Sequence, residues 1–315
     1  MSNFLFAINA TLPLFILIAL GFFLRKINIL NESFINVANK LNFSVTLPVL
    51  LFYDISGTDV VESFDLGFLL FCAIATTVSF WLIWGLSKII FKNQKEFIGE
   101  FVQASFRSSA AVMGMALIAN IYGQTTLGGM MLLGCVPLYN IYAVMVLQFE
   151  SPNIKKEDKK ISKTLISVCK NPIVIGIVLG FISSLLKIDY PAIIDTALYY
   201  VARTATPLAL ICIGGAFSFK AAKETLKPAV LASAIKIIII PVILSIIAIL
   251  IGFRGEALIA AFIMLGASTT PSTYIMARQY GHRGAISSSA VVFTTLFSVV
   301  TITLFLFTFK SLGFV

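Results

Sequence analysis

The feature that most constrains this chain is a series of long apolar segments, of which "VVFTTLFSVVTITLFLFTF" at residues 291–309 is the clearest. A helix needs about 20 such residues to cross the hydrocarbon core of a bilayer. The 315 residues are 59% hydrophobic and only 12% charged, which leaves too little polar surface for a soluble protein of this size. The apolar residues are contiguous rather than alternating, so they indicate helices and not the strands of a membrane barrel. The sequence therefore predicts an all-α integral membrane protein.

Ten segments have the length and composition of transmembrane helices. Their approximate bounds are 4–24, 34–54, 66–91, 100–121, 124–149, 171–187, 192–218, 227–251, 256–278 and 285–309. A lysine-rich cytoplasmic connector at 151–170 divides the chain into a first set of five helices at 1–150 and a second set of five at 171–315.

Basic residues fall mainly on one side of the predicted helices. The connections after odd-numbered helices contain 17 Lys and Arg residues, whereas the connections after even-numbered helices and the two termini contain 3. Because positive loops stay in the cytoplasm, we expect a multi-pass protein of the cytoplasmic membrane with both termini outside. The net charge of +9 has the same origin, so it does not indicate nucleic-acid binding.

The two sets of helices resemble each other in sequence. "VTLPVLLF" in the second helix matches "TATPLALI" in the seventh and aligns Pro48 with Pro207, 159 residues apart. "GEFVQASF" and "GEALIAAF" open the fourth and ninth helices at an offset of 156, and "NIYG" and "RQYG" close them at an offset of 158. Since each set has five helices, the second set enters the membrane from the opposite side. The pattern predicts an inverted repeat, which is common in secondary transporters.

The ninth predicted helix is interrupted by "GASTTPSTYIMARQYG" at residues 266–281. Pro271 removes a backbone hydrogen bond, and five hydroxyl residues around it offer partners for the freed groups: Ser268, Thr269, Thr270, Ser272 and Thr273. The alternative is a simple kink that these hydroxyls satisfy. The matching stretch of the fourth helix, "FRSSAAVMGMALIANIYG", is also polar at Arg107, Ser108 and Ser109. Two breaks would bring two half-helix N-termini to mid-membrane, where they favour a carboxylate.

Four further polar positions inside predicted helices leave alternatives open. Arg107 either faces the breaks and binds an anion or extends to the cytoplasmic interface, and Lys236 is expected to extend to the interface. Arg203 either lines a cavity or pairs with Asp54 or Asp195. Asn140 either lines the cavity or forms a hydrogen bond between helices.

The sequence argues against an enzyme. It has no HExxH or GxSxG motif, neither predicted broken helix has an acidic residue at mid-membrane, and its single histidine, His282, falls in a predicted loop. The spacing of Cys72, Cys135, Cys169 and Cys212 is not that of a metal site. We expect no metal and no cofactor.

The chain resembles the auxin efflux carrier family of plants and its bacterial relatives in "NKLNFSVTLPVLLFYDIS", "FRSSAAVMGMALIANIYG", "PLYNIYAVMVL", "TATPLALICIGGAFS" and "GASTTPSTYIMARQYG". The resemblance covers nearly the whole chain. It implies ten helices in two inverted five-helix repeats, the plan of sodium–proton antiporters and bile-acid symporters, with broken helices 4 and 9 crossing at the substrate site. Family members commonly have proline or asparagine in the fourth-helix crossover, where this chain has Ser108 and Ser109.

The expected function is secondary transport of a small organic anion, a carboxylate, by elevator-type alternating access. The residues expected to bind the anion are Arg107, Ser108, Ser109, Met113, Gly114, Asn140, Ser268, Thr269, Thr270, Pro271, Ser272, Thr273 and Tyr274. Pro48 and Pro207 are expected to break their helices. A sodium-coupled symporter of bile-acid type is the alternative, and Na⁺ and H⁺ are the two candidate coupling ions. Besides the anion and membrane lipid, the expected partner is a second copy of the chain in a homodimer.

Overall fold

The computed structural model describes residues 2–57, 65–122, 126–152, 166 and 168–315. Most of the connector predicted at 151–170 therefore lies outside the described residues. In chain order the main helices are α1 (Ser2–Lys26), α2 (Glu32–Ser56), α3 (Leu66–Ile90), α4a (Ile98–Phe106), α4b (Met115–Tyr122), α5 (Thr126–Phe149), α6 (Pro172–Leu185), α7 (Ala192–Ala216), α8 (Leu226–Ile251), α9a (Gly255–Gly266), α9b (Ser272–Gln279) and α10 (Ala285–Ser311). A short helix, Phe219–Glu224, connects α7 to α8.

The prediction of a helical membrane protein is confirmed. Within the described ranges, six helices are long and apolar enough to cross a bilayer, namely α2, α3, α5, α7, α8 and α10. Polar side chains mark where several helices begin, because the first N–H groups of a helix lack partners inside it. The side chain of Asn31 accepts a hydrogen bond from the backbone of Phe34, and Asp65 caps α3 in the same way through Phe68.

The prolines of α2 and α7 deform these helices less than the sequence suggested. Pro48 lies in the first turn after a π-helical turn, Asn42–Thr46, so α2 is locally widened there and not interrupted. The expectation that Pro207 breaks its helix is wrong, because α7 continues through it. The side chain of Asn42 donates to the carbonyl oxygen of Ala205 at 2.9 Å, so α2 bonds to α7 two residues before Pro207.

The helices pack in two groups. One, the four-helix group, consists of α1, α2, α6 and α7, where α1 packs along α7 and α6 along α2. The other, the six-helix group, contains α3, α4, α5, α8, α9 and α10, with α3 against α5 and α8 against α9a and α10. The groups meet through α1 with α10 and through α9b, which contacts α2 and α7.

Glycines allow the closest helix contacts in the four-helix group. A Cβ at Gly180 of α6 would lie 2.9 Å from the carbonyl oxygen of Phe52 in α2, and a Cβ at Gly21 of α1 would collide with the carbonyl oxygen of Ile211 in α7. These two contacts are equivalent by sequence, because both residues of one lie 159 positions from those of the other. Small residues at such positions let helix backbones approach in lipid, where association depends on close packing.

Replacing Gly214 of α7 by alanine tests this packing. The new Cβ would collide with the carbonyl oxygen of Ile18 in α1, so the helices must separate. We expect a cost of about 1–3 kcal/mol, typical of overpacking, seen as a lower thermal unfolding midpoint of the detergent-purified protein.

The matched control is Gly85→Ala in α3, where an added Cβ has no atom within 4 Å. Its midpoint should stay or rise slightly, since alanine favours helix over glycine by up to about 1 kcal/mol. Equal midpoints for the two variants would contradict the close approach of α1 and α7.

Candidate functional site

The first interruption in the six-helix group separates α4a from α4b. The backbone turns extended at Arg107, with φ −80° and ψ 129°, and resumes as a π-helical turn at Ala110–Gly114. The last helical bond before the break joins the N–H of Arg107 to the carbonyl oxygen of Gln103 at 3.2 Å. Residues 107–109 therefore form a short non-helical segment inside a buried helix.

The second interruption separates α9a from α9b. α9a ends at Gly266, Ala267 is extended with φ −68° and ψ 158°, and α9b begins at Ser272. Pro271 directly precedes α9b, a position where its missing N–H costs no helical bond. The proline therefore starts the second half-helix, and the break itself occupies the four residues before it.

The two non-helical segments touch and satisfy each other's backbone groups. The N–H of Ser109 donates to the carbonyl oxygen of Ser268 at 2.9 Å, and the Ser108 hydroxyl donates to the carbonyl oxygen of Ala267 at 3.3 Å. The Thr269 hydroxyl donates to the carbonyl oxygen of Ala104 at 2.9 Å. The two breaks thus pair several of each other's freed backbone groups without water, as buried backbone in lipid requires.

Arg107 is buried beside this crossing, with 3% of its surface exposed. Its guanidinium donates to the side-chain oxygen of Asn140 at 2.6 Å and to that of Gln103 at 3.4 Å, and contacts the sulfur of Met276. These three contacts use three of the five N–H groups of a guanidinium. Among the described residues the other two have no hydrogen-bond acceptor, and no carboxylate pairs with the charge. Arg107 therefore faces the protein interior and not the membrane interface.

A cavity of about 60 Å³ lies where Arg107 and the two breaks meet. The six-helix group lines it with residues from α4, α5 and the α9 break: Arg107, Ser108, Ser109, Ala111, Val136, Tyr139, Asn140, Thr270, Pro271 and Ser272. The four-helix group closes it with Leu47, Leu50, Leu51, Asp54, Ala205, Thr206 and Ala209. The cavity thus lies between the two groups of helices.

The remaining predicted site residues surround the crossing without lining this cavity. Thr273 and Tyr274 are buried in α9b, and Gly114 packs against Ile263 of α9a. Met113 belongs to the π-helical turn of α4b, and its side chain lies outside the described part.

Several residues near the cavity were not singled out by the sequence. Gln103 connects the two broken helices, because its side chain donates to the carbonyl oxygen of Thr273 in α9b at 2.9 Å and accepts from Arg107 at the break in α4. Asp54, considered only as a partner of Arg203, lines the cavity itself. Its carboxylate is close enough to the Arg203 guanidinium for their charges to interact. A charge at the end of an apolar run was the only signal for Asp54.

The expectation that Lys236 extends to the interface is wrong. Lys236 is fully buried in α8, and its ammonium donates to the carbonyl oxygen of Leu265 at the end of α9a. The neighbouring carbonyl oxygen, of Met264, accepts from the hydroxyl of Tyr139 at 2.6 Å. Both carbonyls belong to the last turn of a half-helix, where no partner exists inside the helix.

A second cavity, of about 310 Å³, lies between the same two groups on the other side of α9b. Three arginines line it, Arg25, Arg278 and Arg283, together with one acid, Glu32. Tyr274 and Arg278 of α9b belong to its wall, while Pro271 and Ser272, at the start of the same helix, belong to the wall of the smaller cavity.

The fold and the two broken helices are those of a membrane transporter, and the comparison with known families agrees. The family of membrane transport proteins that includes the auxin efflux carriers matches residues 6–306, and the chain belongs to this family.

Its relatives are transporters. The chain is 24% identical over 310 residues to an uncharacterized transporter of Methanocaldococcus jannaschii, covering 94% of this chain and 96% of the relative. It is 23% identical over 308 residues to a putative malonate transporter of Rhizobium meliloti, covering 95% of each. An uncharacterized transporter of Escherichia coli K12 is 24% identical over 213 residues, 66% of this chain and 68% of the relative. The family and these relatives are described as membrane transporters.

Replacing Tyr139 by phenylalanine tests the support of the α9 break. The change leaves the buried Met264 carbonyl oxygen without its donor, which costs about 1–3 kcal/mol. We expect a lower thermal unfolding midpoint for the purified variant.

Tyr142→Phe is the matched control, because within the described part of the chain the Tyr142 hydroxyl bonds only to the part-buried hydroxyl of Thr77, which also donates to the carbonyl oxygen of Ala73. A Tyr139→Phe variant as stable as Tyr142→Phe would show that the hydroxyl does not hold the break.

Proposed function

We propose that this protein is a secondary transporter for a small dicarboxylate, which binds in the cavity at the crossing of α4 and α9. The observation that carries the proposal is Arg107, a buried cation that faces the cavity with two N–H groups free of protein acceptors among the described residues. A buried charge without a counter-ion is costly, so its presence inside a membrane protein favours an anionic ligand.

The helix ends at the crossing support the same ligand. The π-helical turn that leads into α4b and the half-helix α9b both begin at the cavity, where their first N–H groups and their dipoles favour negative charge. Thr270 and Ser272 add hydroxyls that bond only to each other among the described residues, at 3.2 Å, and so remain able to donate to a ligand. Ser109 and Asn140 complete the polar wall.

The size of the cavity favours a small anion over a large aromatic or steroid one. A cavity of about 60 Å³ holds only a few water molecules, so an aromatic or steroid anion does not fit in it. This suits a short-chain dicarboxylate, and a relative that covers 95% of the chain is described as a putative malonate transporter. We therefore propose malonate or a similarly short dicarboxylate as the substrate.

Two pairs of equivalent contacts support an inverted repeat of residues 1–150 and 171–315. The Glu100 carboxylate in α4a accepts from the N–H groups of Gly284 and Ser287 at the start of α10, while Glu256 in α9a accepts from that of Leu127 at the start of α5. Each broken helix thus caps the helix that follows the other one. The packing of the first helices follows the same pattern. The first helix of each set packs on the second helix of the other set, α1 on α7 and α6 on α2.

This symmetry supports elevator-type alternating access, in which the six-helix group carries the anion past the four-helix group. The cavity lies between the groups, so their relative movement changes its exposure. The second cavity, lined by Arg25, Arg278 and Arg283, then belongs to an access route on the side of the basic connections, which we assign to the cytoplasm. We propose a cytoplasmic-membrane location, extracytoplasmic termini and a homodimer.

Asp54 favours H⁺ over Na⁺ as the coupling ion. It is the one acidic side chain among the described residues that line the cavity, and its charge interacts with that of Arg203 in the four-helix group. A carboxyl group at this place can bind a proton when the substrate leaves. No observation on the described residues favours the sodium-coupled alternative.

Uptake of radiolabelled malonate into proteoliposomes tests the proposal, with Arg107→Gln as the critical variant. Glutamine can still bond to Asn140 but lacks the charge, so it removes charge-assisted hydrogen bonds of about 1.5–3 kcal/mol, or roughly a 10- to 100-fold loss of affinity.

The matched control, Arg254→Gln, makes the same change at an exposed arginine after α8 and should transport as the wild type does. Wild-type proteoliposomes that take up no short dicarboxylate would reject the proposed substrate. Equal affinity in both variants would reject the role of Arg107.

A further inference from the structure

Lys236 is a second buried cation at the crossing, and the site described above does not use it. It lies in a π-helical turn of α8, Ile235–Ile239, with 0% of its surface exposed. Its ammonium reaches the carbonyl oxygen of Leu265, one residue before the end of α9a. Lysine is almost never fully buried without a partner, so this position calls for a physical reason.

The group that Lys236 contacts is the negative end of a half-helix. The last carbonyls of a helix have no partner inside it and carry partial negative charge. In transporters with broken helices, such carbonyl ends and the unwound backbone beside them coordinate the coupling cation. Here protein donors occupy that end, namely the Lys236 ammonium on Leu265 and the Tyr139 hydroxyl on Met264.

No acidic side chain among the described residues accounts for the burial of Lys236. In the described part of the chain no carboxylate lies within ion-pair distance of its ammonium. The titratable side chain that faces it from α5 is the thiol of Cys135. In the described part of the chain the hydrogen-bond partner of the ammonium is therefore a carbonyl dipole, the same kind of group that coordinates a coupling cation in transporters with broken helices.

The break in α4 has no counterpart to this arrangement. The carbonyl oxygens at the end of α4a accept from neutral groups, the hydroxyl of Thr269 on Ala104 and the backbone N–H of Arg107 on Gln103. Among the described residues, only the carbonyl end of α9a accepts from a lysine side chain, which comes from a neighbouring helix of the same six-helix group.

We propose that the Lys236 ammonium is the resident cation of the α9 break and takes the place that a coupling Na⁺ would occupy. The inference rests on the proposed transport of a small anion, and it predicts that this transport needs no Na⁺. Lys236 moves with the substrate, because α8 and α9 belong to one group, and its charge together with that of Arg107 balances a dianion during translocation.

The test measures malonate uptake into proteoliposomes in Na⁺ medium and in N-methylglucamine medium. It compares the wild type with Lys236→Met and Lys236→Arg. The control is Lys310→Met, which makes the same change at an exposed position. We expect the wild type and Lys310→Met to transport equally well in both media. Lys236→Met should lose at least about tenfold in rate without Na⁺, because the carbonyl end loses its counter-charge, whereas Lys236→Arg keeps the charge and most of the rate.

Two results would overturn the inference. One is a wild type whose uptake depends on Na⁺, a result that needs no variant to fold. The other is a monodisperse Lys236→Met variant that transports as fast as the wild type without Na⁺.

Equilibrium binding of radioactive Na⁺ to the purified wild type separates this inference from the proposed function. The account expects no saturable binding, and saturable binding would overturn the role of Lys236 whether or not malonate is transported. Absence of all dicarboxylate uptake, with no Na⁺ binding, would instead reject the proposed substrate and leave the assignment of Lys236 standing.

Discussion

The structure depends on one set of contacts, the hydrogen bonds between the non-helical segments of α4 and α9. A helix broken inside lipid frees carbonyl and amide groups that water cannot reach, and each unpaired group costs several kcal/mol. Here the breaks lie against each other, so Ser109 supplies an amide to Ser268, and Thr269 supplies a hydroxyl to Ala104. Each break therefore supplies hydrogen-bond partners to the open backbone of the other.

That constraint also determines the electrostatics of the site. Two half-helices begin at the crossing and two end there, so positive and negative helix ends lie within one small region. Arg107 adds charge beside the beginnings, and Lys236 offsets the carbonyls of one of the ends. In our proposal the first charge binds the substrate and the second removes the need for a metal cation. In this proposal the same crossing accounts for both a preference for anions and transport that needs no Na⁺.

Much of the crossing could be predicted from the sequence. Proline among hydroxyl residues at 266–281 and the polar stretch "FRSSAAVMG" both coincide with interruptions in the structure. The roles of individual residues were harder to predict. Pro207 does not break α7, since packing against α1 and α2 holds that helix, whereas no proline is present at the break in α4. Lys236 looked like an interfacial lysine, because its only signal was one charge in an apolar run, and its partner is a backbone carbonyl that no sequence pattern marks. The role of Asp54 could not be predicted either, because its only signal was one charge at the end of an apolar run.

The most direct test is a crystal structure of the protein with bromomalonate, whose bromine gives an anomalous signal. The account predicts one bromine peak in the cavity between Ser109 and Ser272, with a carboxylate on the free N–H groups of Arg107. A peak confined to the larger cavity between Arg25 and Arg283, with the crossing unoccupied, would contradict it.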